Sequence, residues 1–287
     1  DRHARKILAT PKVGADPNSD LLVITQLQRS DLYMYLVAIK TLLRELGQAQ
    51  ILILDDGLGH IGRDILKQHI KRIRFLPVSK VEVGHCPSGA TWERLLTVCD
   101  ECQTKYVIQA DSDVLAVGPM NVVKEHVKHN RSFVLASSLT PNFVSAAQVA
   151  AVVADQVRDG DTHVQPVAES HFPTLPHNRA MRYIRGCSGF AGFAVKGVSR
   201  GGVEDFSVAM ERIIGPKWRE WGSEQVASNY AIANSTNAAA LPIREYLNFR
   251  PGVDLTDARL VHFMGTHRYE GGVYRDLALR EIKVMSS

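Results

Sequence analysis

At residues 105–115 the chain reads KYVIQADSDVL, a short apolar run that ends in two carboxylates two positions apart. Its β-branched and aromatic residues predict a buried strand that delivers Asp111 and Asp113 at its carboxyl end. Open α/β sheets bind their ligands at that edge. Residues i and i+2 share one side of an extended chain, so both carboxylates can converge on one hard cation. We therefore predict a divalent metal that holds a diphosphate. The alternative is a plain turn, where Asp and Ser are common.

The composition is that of a globular protein with a substantial core. With 287 residues, of which 45% are hydrophobic, the chain can form one large domain. Its 34 basic and 30 acidic residues are spread along the chain and give a formal net charge of +4. No basic run is long enough for a nucleic-acid tail, so we expect no nucleic-acid partner. Peripheral contact with a membrane surface is compatible with this charge.

The cysteines and the hydropathy pattern indicate the cellular compartment in which the protein is expected. Cys86, Cys99, Cys102 and Cys187 are too few for a disulfide framework, and the one Cys-x-x-Cys pair lacks the second pair that zinc requires. We expect reduced thiols in a cytoplasmic protein. No apolar run reaches the roughly 18 residues needed to span a bilayer, and no signal peptide is recognisable. Because the chain begins at Asp1, a trimmed upstream anchor is also compatible with the sequence.

The stretch before residue 118 predicts a nucleotide-binding sheet. Residues 21–26 (LLVITQ) and 51–54 (ILIL) are nearly unbroken apolar strands. Residues 31–46 between them have helical periodicity, with Ser30 or Asp31 as N-cap and Gly47 as the stop. Such strands indicate a parallel sheet covered on both faces. The other elements predicted here are a helix over 61–71, a strand over 72–77, and a helix capped by Ser88 that runs through Trp92 to Val98.

Beyond residue 118 the elements are more mixed. The predicted helices cover 119–128, 143–158, 203–214, 223–233 and a last segment from about 275, and the predicted strands cover 132–137, 181–185, 190–195, 239–243 and 260–264. Residues 159–180 lack periodicity, and a loop of that length is typically a lid or a binding loop. We interpret the chain as a single α/β domain over 1–287, with a nucleotide-binding half at about 20–118 and an acceptor-side catalytic half at about 119–287.

Two further groups of charged residues are candidates for nucleotide contacts. Asp55 and Asp56 end the second strand, where a doubly wound sheet would contact a nucleobase or ribose, although Asp-Asp-Gly is an equally ordinary turn. Arg94 lies on the helix before the Asp111 strand. It could reach a phosphate or a base from there, or it could simply be solvated.

Residues 262–268, HFMGTHR, place a histidine on a strand, a glycine at its end and a cation just after. An imidazole beside two carboxylates is a normal ligand set for Mn²⁺, so His262 is a candidate ligand. Gly265 and Arg268 could hold phosphate oxygens. A histidine with this spacing alone can equally well be structural.

Several of these stretches match the motifs of one family. Residues 92–96 (WERLL) and 105–118 (KYVIQADSDVLAVG) look like an arginine helix followed by an Asp-x-Asp strand. Residues 188–195 (SGFAGFAV) are similar to an Asn-Ala-Gly strand, with Phe190 in the place of Asn. In this order they resemble the retaining sugar transferases that include glycogenin and the lipooligosaccharide galactosyltransferases.

The same resemblance continues towards the C-terminus. Residues 222–229 (GSEQVASN) resemble the family's Asp-Gln-Asp-x-x-Asn helix start, with Glu224 for the first Asp and Val226 for the second. Residues 241–249 (LPIREYLNF) and 262–268 complete the order, with Arg268 replacing the usual Lys. The resemblance spans roughly residues 20–270.

The resemblance implies a GT-A fold, Mn²⁺ or Mg²⁺, and a nucleotide-sugar donor, most often a UDP-sugar. It implies transfer of a hexose, with retention, to a glycan, lipid or small-molecule acceptor. The implied contacts are Asp111, Asp113 and His262 to the metal, Thr25, Asp55, Asp56 and Arg94 to the nucleoside end, Gly265 and Arg268 to the diphosphate, and Gln225 with Glu224 beside the anomeric carbon.

Two other functions stay open at this point. An apolar strand ending in Asp-x-Asp-Val also fits the nucleophile strand of haloacid-dehalogenase-like phosphohydrolases, with residues 159–161 (DGD) as a later metal motif. However, that motif should follow a strand, and the nucleophile strand should come early in the chain. A nucleotide-sugar-binding protein without turnover is the other alternative, since Phe190 and Val226 depart from the family's pattern.

Overall fold

The computed structural model describes residues 3–157 and 163–286. The α-helices of this part of the chain are α1 Leu32–Leu46, α2 Gly59–His69, α3 Trp92–Glu101, α4 Asn121–Lys128, α5 Ala146–Val153, α6 Val164–Ser170, α7 Arg200–Ile214, α8 Ser223–Ala233 and α9 Val273–Ser286. The strands are β1 Val13–Gly14, β2 Leu21–Leu27, β3 Gln50–Asp55, β4 Ile70–Lys71, β5 Arg74–Pro77, β6 Tyr106–Ala110, β7 Val114–Ala116, β8 Phe133–Ala136, β9 Val144–Ser145, β10 Arg182–Tyr183, β11 Gly186–Phe193, β12 Ala239–Ala240, β13 Tyr246–Asn248 and β14 Leu260–His262.

A seven-stranded sheet with the order β12-β8-β11-β6-β2-β3-β5 forms the centre of the fold. Strand β2 pairs in parallel with β3 and β6, β3 pairs in parallel with β5, and β8 pairs in parallel with β12. Strand β11 is antiparallel to both of its neighbours, β6 and β8. The predicted α/β class with a mostly parallel sheet is therefore confirmed.

A smaller three-stranded sheet, β13-β14-β7, adjoins the carboxyl end of β6. After β6 the chain makes a turn through residues 111–113 and re-emerges as β7, which pairs antiparallel with β14. This register places His262 opposite Val114, one residue after Asp113. The turn that carries the two aspartates is thus held between the large sheet and the small one.

The strands read as continuous apolar runs because both faces of the sheet are covered. In β2, Leu21, Val23 and Leu27 belong to one apolar cluster, which also contains α1 residues, whereas Leu22 and Ile24 belong to a second cluster with α3 residues. Because neither face of the sheet is exposed to solvent there, these strands lack the alternating polar residues of a half-exposed sheet. Among the described residues, no helix combines the length and the apolar character needed to cross a bilayer.

Four predictions about elements were wrong or incomplete. Helix α3 begins at Trp92 after Thr91, whose φ is +71°, so Ser88 is not its cap. Helix α5 is shorter than predicted, and a 3₁₀ turn over Ala154–Gln156 follows it. Strands β1, β4, β7, β9 and β13 were not predicted, and β4 and β9 lie within segments predicted as helices. Residues 163–180 are not one long loop, because they contain α6 and a 3₁₀ turn, whereas residues 159–162 lie outside the described part of the chain.

The short segment α6 escaped prediction for a physical reason. It is seven residues long, carries Pro166 near its start and has too few turns to show a period. Its side chains are nevertheless buried, since Val164 and Ala168 lie in the same apolar cluster as residues of α5 and α8. Tertiary packing therefore forms this helix where local propensity does not.

Close packing across β11 gives a test of the fold. A Cβ at Gly192 would overlap the Phe133 ring and lie 2.6 Å from the Tyr106 hydroxyl, whereas a Cβ at Gly201 in α7 meets nothing within 4 Å. We expect Gly192→Ala to lower the free energy of unfolding by about 1–3 kcal/mol, as overpacking does. Gly201→Ala, the matched control, should leave it unchanged or raise it by about 0.5–1 kcal/mol. Urea unfolding measures both, and equal effects would contradict this packing.

Candidate functional site

The two aspartates and the histidine of the sequence analysis meet at the junction of the two sheets. Asp111 follows β6, Asp113 precedes β7, and His262 ends β14. One ligand atom from each of these residues can be chosen so that all three lie within 4.8 Å of one another. Nε2 of His262 is 3.5 Å from Asp111 Oδ2 and 3.3 Å from Asp113 Oδ1. The cluster is accessible from outside through Asp111, whose side chain is 32% exposed.

The hydrogen bonding of this cluster fits a divalent cation. Asp113 Oδ1 is buried and has no hydrogen-bond partner, although burial without a partner is costly for a carboxylate oxygen. Carboxylate oxygens and an imidazole nitrogen are a suitable donor set for Mn²⁺. A cation between these three groups would satisfy the orphaned oxygen. Asp111, Asp113 and His262 can therefore hold a divalent metal.

The orientation of the histidine ring supports the same assignment. Parallel pairing places Asn248 beside His262, and the amide Oδ1 of Asn248 lies 2.8 Å from His262 Nδ1. Because the amide oxygen can only accept, Nδ1 carries the proton and donates it, and this leaves the Nε2 lone pair facing the carboxylates. Metal-binding histidines are typically fixed in this way by a partner on the other ring nitrogen. Asn248 thus selects the tautomer that can bind a cation.

The charges around His262 show what competes with a metal. Burial disfavours the charged imidazolium, but Cys187, Asp113 and Asp111 raise the pKa of His262 well above its ordinary value. When no cation is bound, a proton on Nε2 can take its place between the carboxylates. A proton and a metal cannot occupy Nε2 at the same time.

Gly189 of β11 makes room for the histidine. A Cβ at this position would overlap the His262 ring and lie 2.8 Å from its Nδ1. The neighbouring carbonyl of Gly189 also accepts the backbone N–H of Asp111 at 2.8 Å. A glycine is required here because the strand backbone touches the ring directly.

Arg94 lies beneath the cluster and connects two acidic residues. Its side chain is 3% exposed, forms an ion pair with Asp111 through Nη1, and has Nη2 3.9 Å from Glu224 Oε1. Burial opposes ionisation of Asp111, but Arg94 and His262 hold its pKa well below the ordinary value. The alternative in which Arg94 is merely solvated is therefore wrong. Its contact with a nucleotide stays a prediction, since its described partners are the two carboxylates.

Glu224 and Gln225 begin α8 at the same site. Glu224 is 2% exposed, and its Oε2 accepts from Thr91 Oγ1 at 3.0 Å and from Ser188 Oγ at 3.1 Å. Burial raises its pKa, against the lowering effects of Arg94, Thr91 and Ser188. The Gln225 amide oxygen accepts from the Ser188 backbone N–H at 3.2 Å.

Two of the four departures from the family motifs, Phe190 and Val226, are apolar core residues. Phe190 is buried, with its ring 5.3 Å from that of Phe133, and Val226 is buried in the second apolar cluster. Strand β11 instead contributes Ser188, two positions before Phe190, whose hydroxyl donates to Glu224.

The residues predicted at the nucleoside end are placed along β2 and β3. Thr25 is buried, and its hydroxyl donates to the carbonyl of Ala110 at 2.8 Å. Asp55 accepts the backbone N–H groups of Gly57 and Leu58 and pairs with Arg63, so it stabilises its own turn. The described residues show no direct contact between Asp55 and the metal cluster. Nucleoside binding by these two residues stays a prediction.

Asp56 is less deeply buried than Asp55. Its Oδ2 accepts from the side-chain amides of Gln26 at 3.2 Å and Gln28 at 3.0 Å. These amides are the described partners of Asp56, and its contact with a nucleoside also stays a prediction.

Arg268 joins the metal cluster from the 3₁₀ turn over Gly265–Tyr269. Its Nη2 lies 2.9 Å from Asp113 Oδ2, its Nη1 lies 3.9 Å from Asp31 Oδ1, and its Nε donates to the Gly265 carbonyl at 2.8 Å. Gly265 has a φ of +54°, which favours glycine. Arg268 therefore pairs with Asp113, and contact of Gly265 and Arg268 with a diphosphate stays a prediction.

Comparison with known proteins identifies the fold. No protein-family model and no curated protein matches the sequence. Among solved structures, the WbbM bifunctional glycosyltransferase aligns with 95% of this chain at 15% identity and a TM-score of 0.57, and the chain spans 51% of that protein. Mouse xyloside xylosyltransferase 1 aligns with 89% of this chain at 10% identity and a TM-score of 0.50, over 99% of its own length. The galactosyltransferase LgtC covers 90% of this chain at 12% identity, with a TM-score of 0.49 and 95% of its length aligned.

The first two alignments show that this chain has the GT-A glycosyltransferase fold. The predicted fold class is confirmed. At these identities the likeness concerns the fold alone, and the chain covers about half of the bifunctional WbbM protein.

The contact between Asn248 and His262 leads to a test of the metal site. Asn248→Ala removes the acceptor that fixes the ring, and we expect a 10- to 100-fold weaker affinity for Mn²⁺, as is usual for such supporting residues. Asn142→Ala, at an exposed asparagine away from the cluster, is the control and should bind Mn²⁺ like the unmodified protein. Calorimetric titration measures both affinities. Equal affinities would mean that the ring does not depend on Asn248.

Proposed function

We propose that this chain transfers a sugar from a nucleotide-sugar donor, a UDP-sugar, to a hydroxyl group of a carbohydrate, glycolipid or small-molecule acceptor. The observation that carries the proposal is the Asp111–Asp113–His262 cluster at the carboxyl end of β6, within a GT-A fold. Residues of about 20–118 would bind the nucleotide, and residues of about 119–287 would supply the acceptor side and the catalytic groups.

The charged groups suit a leaving diphosphate. When bound, a divalent cation held by the two aspartates and His262 supplies Lewis-acid stabilisation of the diphosphate. Arg268 pairs with Asp113 at 2.9 Å on the exposed side of the cluster, where its guanidinium can exchange one carboxylate oxygen for phosphate oxygens. Gly265, at the start of the same turn, leaves the backbone open to the phosphates.

The surroundings of Glu224 and Gln225 support retention over inversion. An inverting transferase needs a base behind the sugar that takes the acceptor proton. Glu224 is a poor candidate because it is buried and its oxygens already face Arg94, Thr91 and Ser188. Gln225 is an uncharged amide whose carbonyl oxygen can stabilise positive charge developing at the anomeric carbon. We infer that the leaving diphosphate assists removal of the acceptor proton from the same face.

The phosphohydrolase alternative has less support. Its nucleophile would be Asp111, which is in an ion pair with Arg94 at the base of the site. Its later metal motif, residues 159–161, lies outside the described residues. A nucleotide-sugar-binding protein without turnover is distinguished by experiment, since it would bind UDP and release none from a donor.

Metal and nucleotide binding are expected to be linked through Asp113. We predict that Mn²⁺ and UDP together raise the melting temperature of the protein, and that Asp113→Ala abolishes this increase. The same variant should lower UDP release from the donor by roughly 10³-fold or more, since the stabilisation of the leaving group amounts to several kcal/mol. Asp257→Ala, at an exposed aspartate, is the control. Full transfer activity in excess chelator would refute the metal's role.

Stereochemistry gives an independent test of Gln225. We predict an α-linked product from an α-linked donor, read by proton NMR of the first-formed product. Gln225→Ala should slow turnover by roughly 10- to 10³-fold, the range for losing one electrostatic group. Glu224→Gln should be milder if Glu224 only positions sugar hydroxyls. A β-linked first product would overturn retention and make Glu224 the catalytic base.

A further inference from the structure

A line of hydrogen bonds runs from β11 through two glutamine side chains to a buried carboxylate on α6. The Ser188 N–H donates to Gln225 Oε1 at 3.2 Å, and Gln225 Nε2 donates to Gln165 Oε1 at 3.0 Å. Gln165 Nε2 then donates to Glu169 Oε1 at 2.8 Å, one helical turn further along α6. The Tyr183 hydroxyl donates to the same carboxylate oxygen at 3.0 Å. The amide at the start of α8 is therefore connected to a carboxylate on a different helix.

The two ends of this line determine the direction of both amides between them. A backbone N–H such as that of Ser188 can only donate, and an ionised carboxylate such as Glu169 can only accept. Glu169 therefore requires the NH₂ group of Gln165, which turns the Gln165 oxygen towards Gln225. That oxygen requires the NH₂ group of Gln225, which turns the Gln225 oxygen towards Ser188. Side-chain amides are ordinarily ambiguous, but here one orientation satisfies every bond.

Burying a carboxylate costs free energy, so packing alone does not explain why Glu169 lies here. Glu169 is 0% exposed, and burial raises its pKa to about 7, while Arg185, Gln165 and Tyr183 lower it. Arg185 Nε lies 3.2 Å from Glu169 Oε2, yet that oxygen has no aligned hydrogen bond. Apolar side chains commonly stabilise such an interface as well as a buried ion pair does. At a pH above this pKa the carboxylate is ionised, and the property that it then adds is that it accepts hydrogen bonds and donates none.

We propose that Glu169 is a positioning residue that acts through Gln165 to fix the direction of the Gln225 amide. The carbonyl oxygen of Gln225 is thereby held towards Ser188 of β11, and the NH₂ group is held towards α6. This proposal rests on the proposed function, in which the oxygen of Gln225 faces the anomeric carbon. One lone pair of that oxygen accepts from Ser188, and the second remains for the sugar.

Two single variants break the line at different points. Gln165→Leu removes the hydrogen bonds that Gln165 makes with Gln225 and with Glu169. Glu169→Gln replaces the carboxylate with an amide, which can also donate. We expect each to lower kcat roughly 10- to 100-fold, the size typical of a slightly misplaced catalytic group, with the KM of the donor unchanged. The loss should be larger for Gln165→Leu, because the Gln225 NH₂ group then has no acceptor on α6, whereas in Glu169→Gln the Gln165 oxygen can still accept from it.

An exchange of the two side chains provides the matched rescue. In the double variant Gln165→Glu with Glu169→Gln, the carboxylate stands at position 165 and accepts from the NH₂ groups of Gln225 and of the new amide. The direction of the Gln225 amide is then preserved, and the helix still carries one glutamine and one glutamate side chain at these two positions. We expect kcat within about threefold of the unmodified enzyme, well inside the loss expected from misplacement. As a control, Glu211→Gln removes an Arg-paired carboxylate from the surface, where its partner is Arg219, and should leave kcat unchanged.

A spectroscopic readout separates this proposal from the proposed function. The side-chain NH₂ signal of Gln225, identified by its loss in Gln225→Ala, is followed in protein isotope-labelled at its glutamine amides. We expect slow proton exchange in the unmodified protein, a shifted and faster-exchanging signal in Gln165→Leu and Glu169→Gln, and recovery in the exchange variant. This measurement needs no substrate, so it remains decisive if no donor releases UDP, which would refute the proposed function alone.

Three outcomes would overturn the positioning role. The first is a Gln225 signal that is the same in the unmodified protein and both single variants. The second is a fall in kcat that is matched by a fall in melting temperature and is not recovered by the exchange, because that indicates a merely structural role. The third is an unchanged kcat in Gln165→Leu while the unmodified enzyme is active.

Discussion

Three carboxylates are buried close together at one end of the sheet, and their mutual repulsion must be offset by positive charge. Asp113 and Glu224 are almost fully buried, and Asp111 stands between them and the solvent. In an environment of low dielectric constant such charges are costly unless they are paired. Arg94 faces Asp111 and Glu224 from inside, and Arg268 faces Asp113 from the open side. Asp113 Oδ1 and His262 Nε2 face the gap that remains, and a divalent cation can be held there.

The architecture around this point serves to hold these groups in register. The turn between β6 and β7 passes from the large sheet to the small one, and the pairing of β7 with β14 brings His262 next to Asp113. The pairing of β14 with β13 brings Asn248 to the other side of the ring. On the opposite side, α8 presents Glu224 and Gln225, and buried polar groups on β11 and α6 engage them. The inner side of the site is thus held by hydrogen bonds, and its charged outer side is formed by the turn that carries Arg268.

Much of the fold could be predicted from the sequence, whereas the supporting contacts of the site could not. Strands β2, β3 and β6 were recognisable because both of their faces are buried, which leaves unbroken apolar runs. Asp111, Asp113 and His262 were recognisable because metal-binding residue types stand at strand ends. The roles of Asn248 and Gly189 depend on strand register and on one close approach to a ring, which spacing along the chain does not encode. Gln165 and Glu169 lie on a helix that only tertiary packing forms, so their link to Gln225 left no signal in the sequence.

The central claim is that Asp111, Asp113 and His262 share one divalent cation beside the nucleotide. Anomalous X-ray scattering from crystals grown with Mn²⁺ and UDP tests it directly, since manganese is then located independently of the protein density. We predict one strong peak bounded by Asp111, Asp113 and Nε2 of His262, with a diphosphate oxygen on the same ion and Arg268 displaced from Asp113 towards the phosphates. UDP bound with no manganese peak between these three side chains, and with Arg268 still on Asp113, would contradict it.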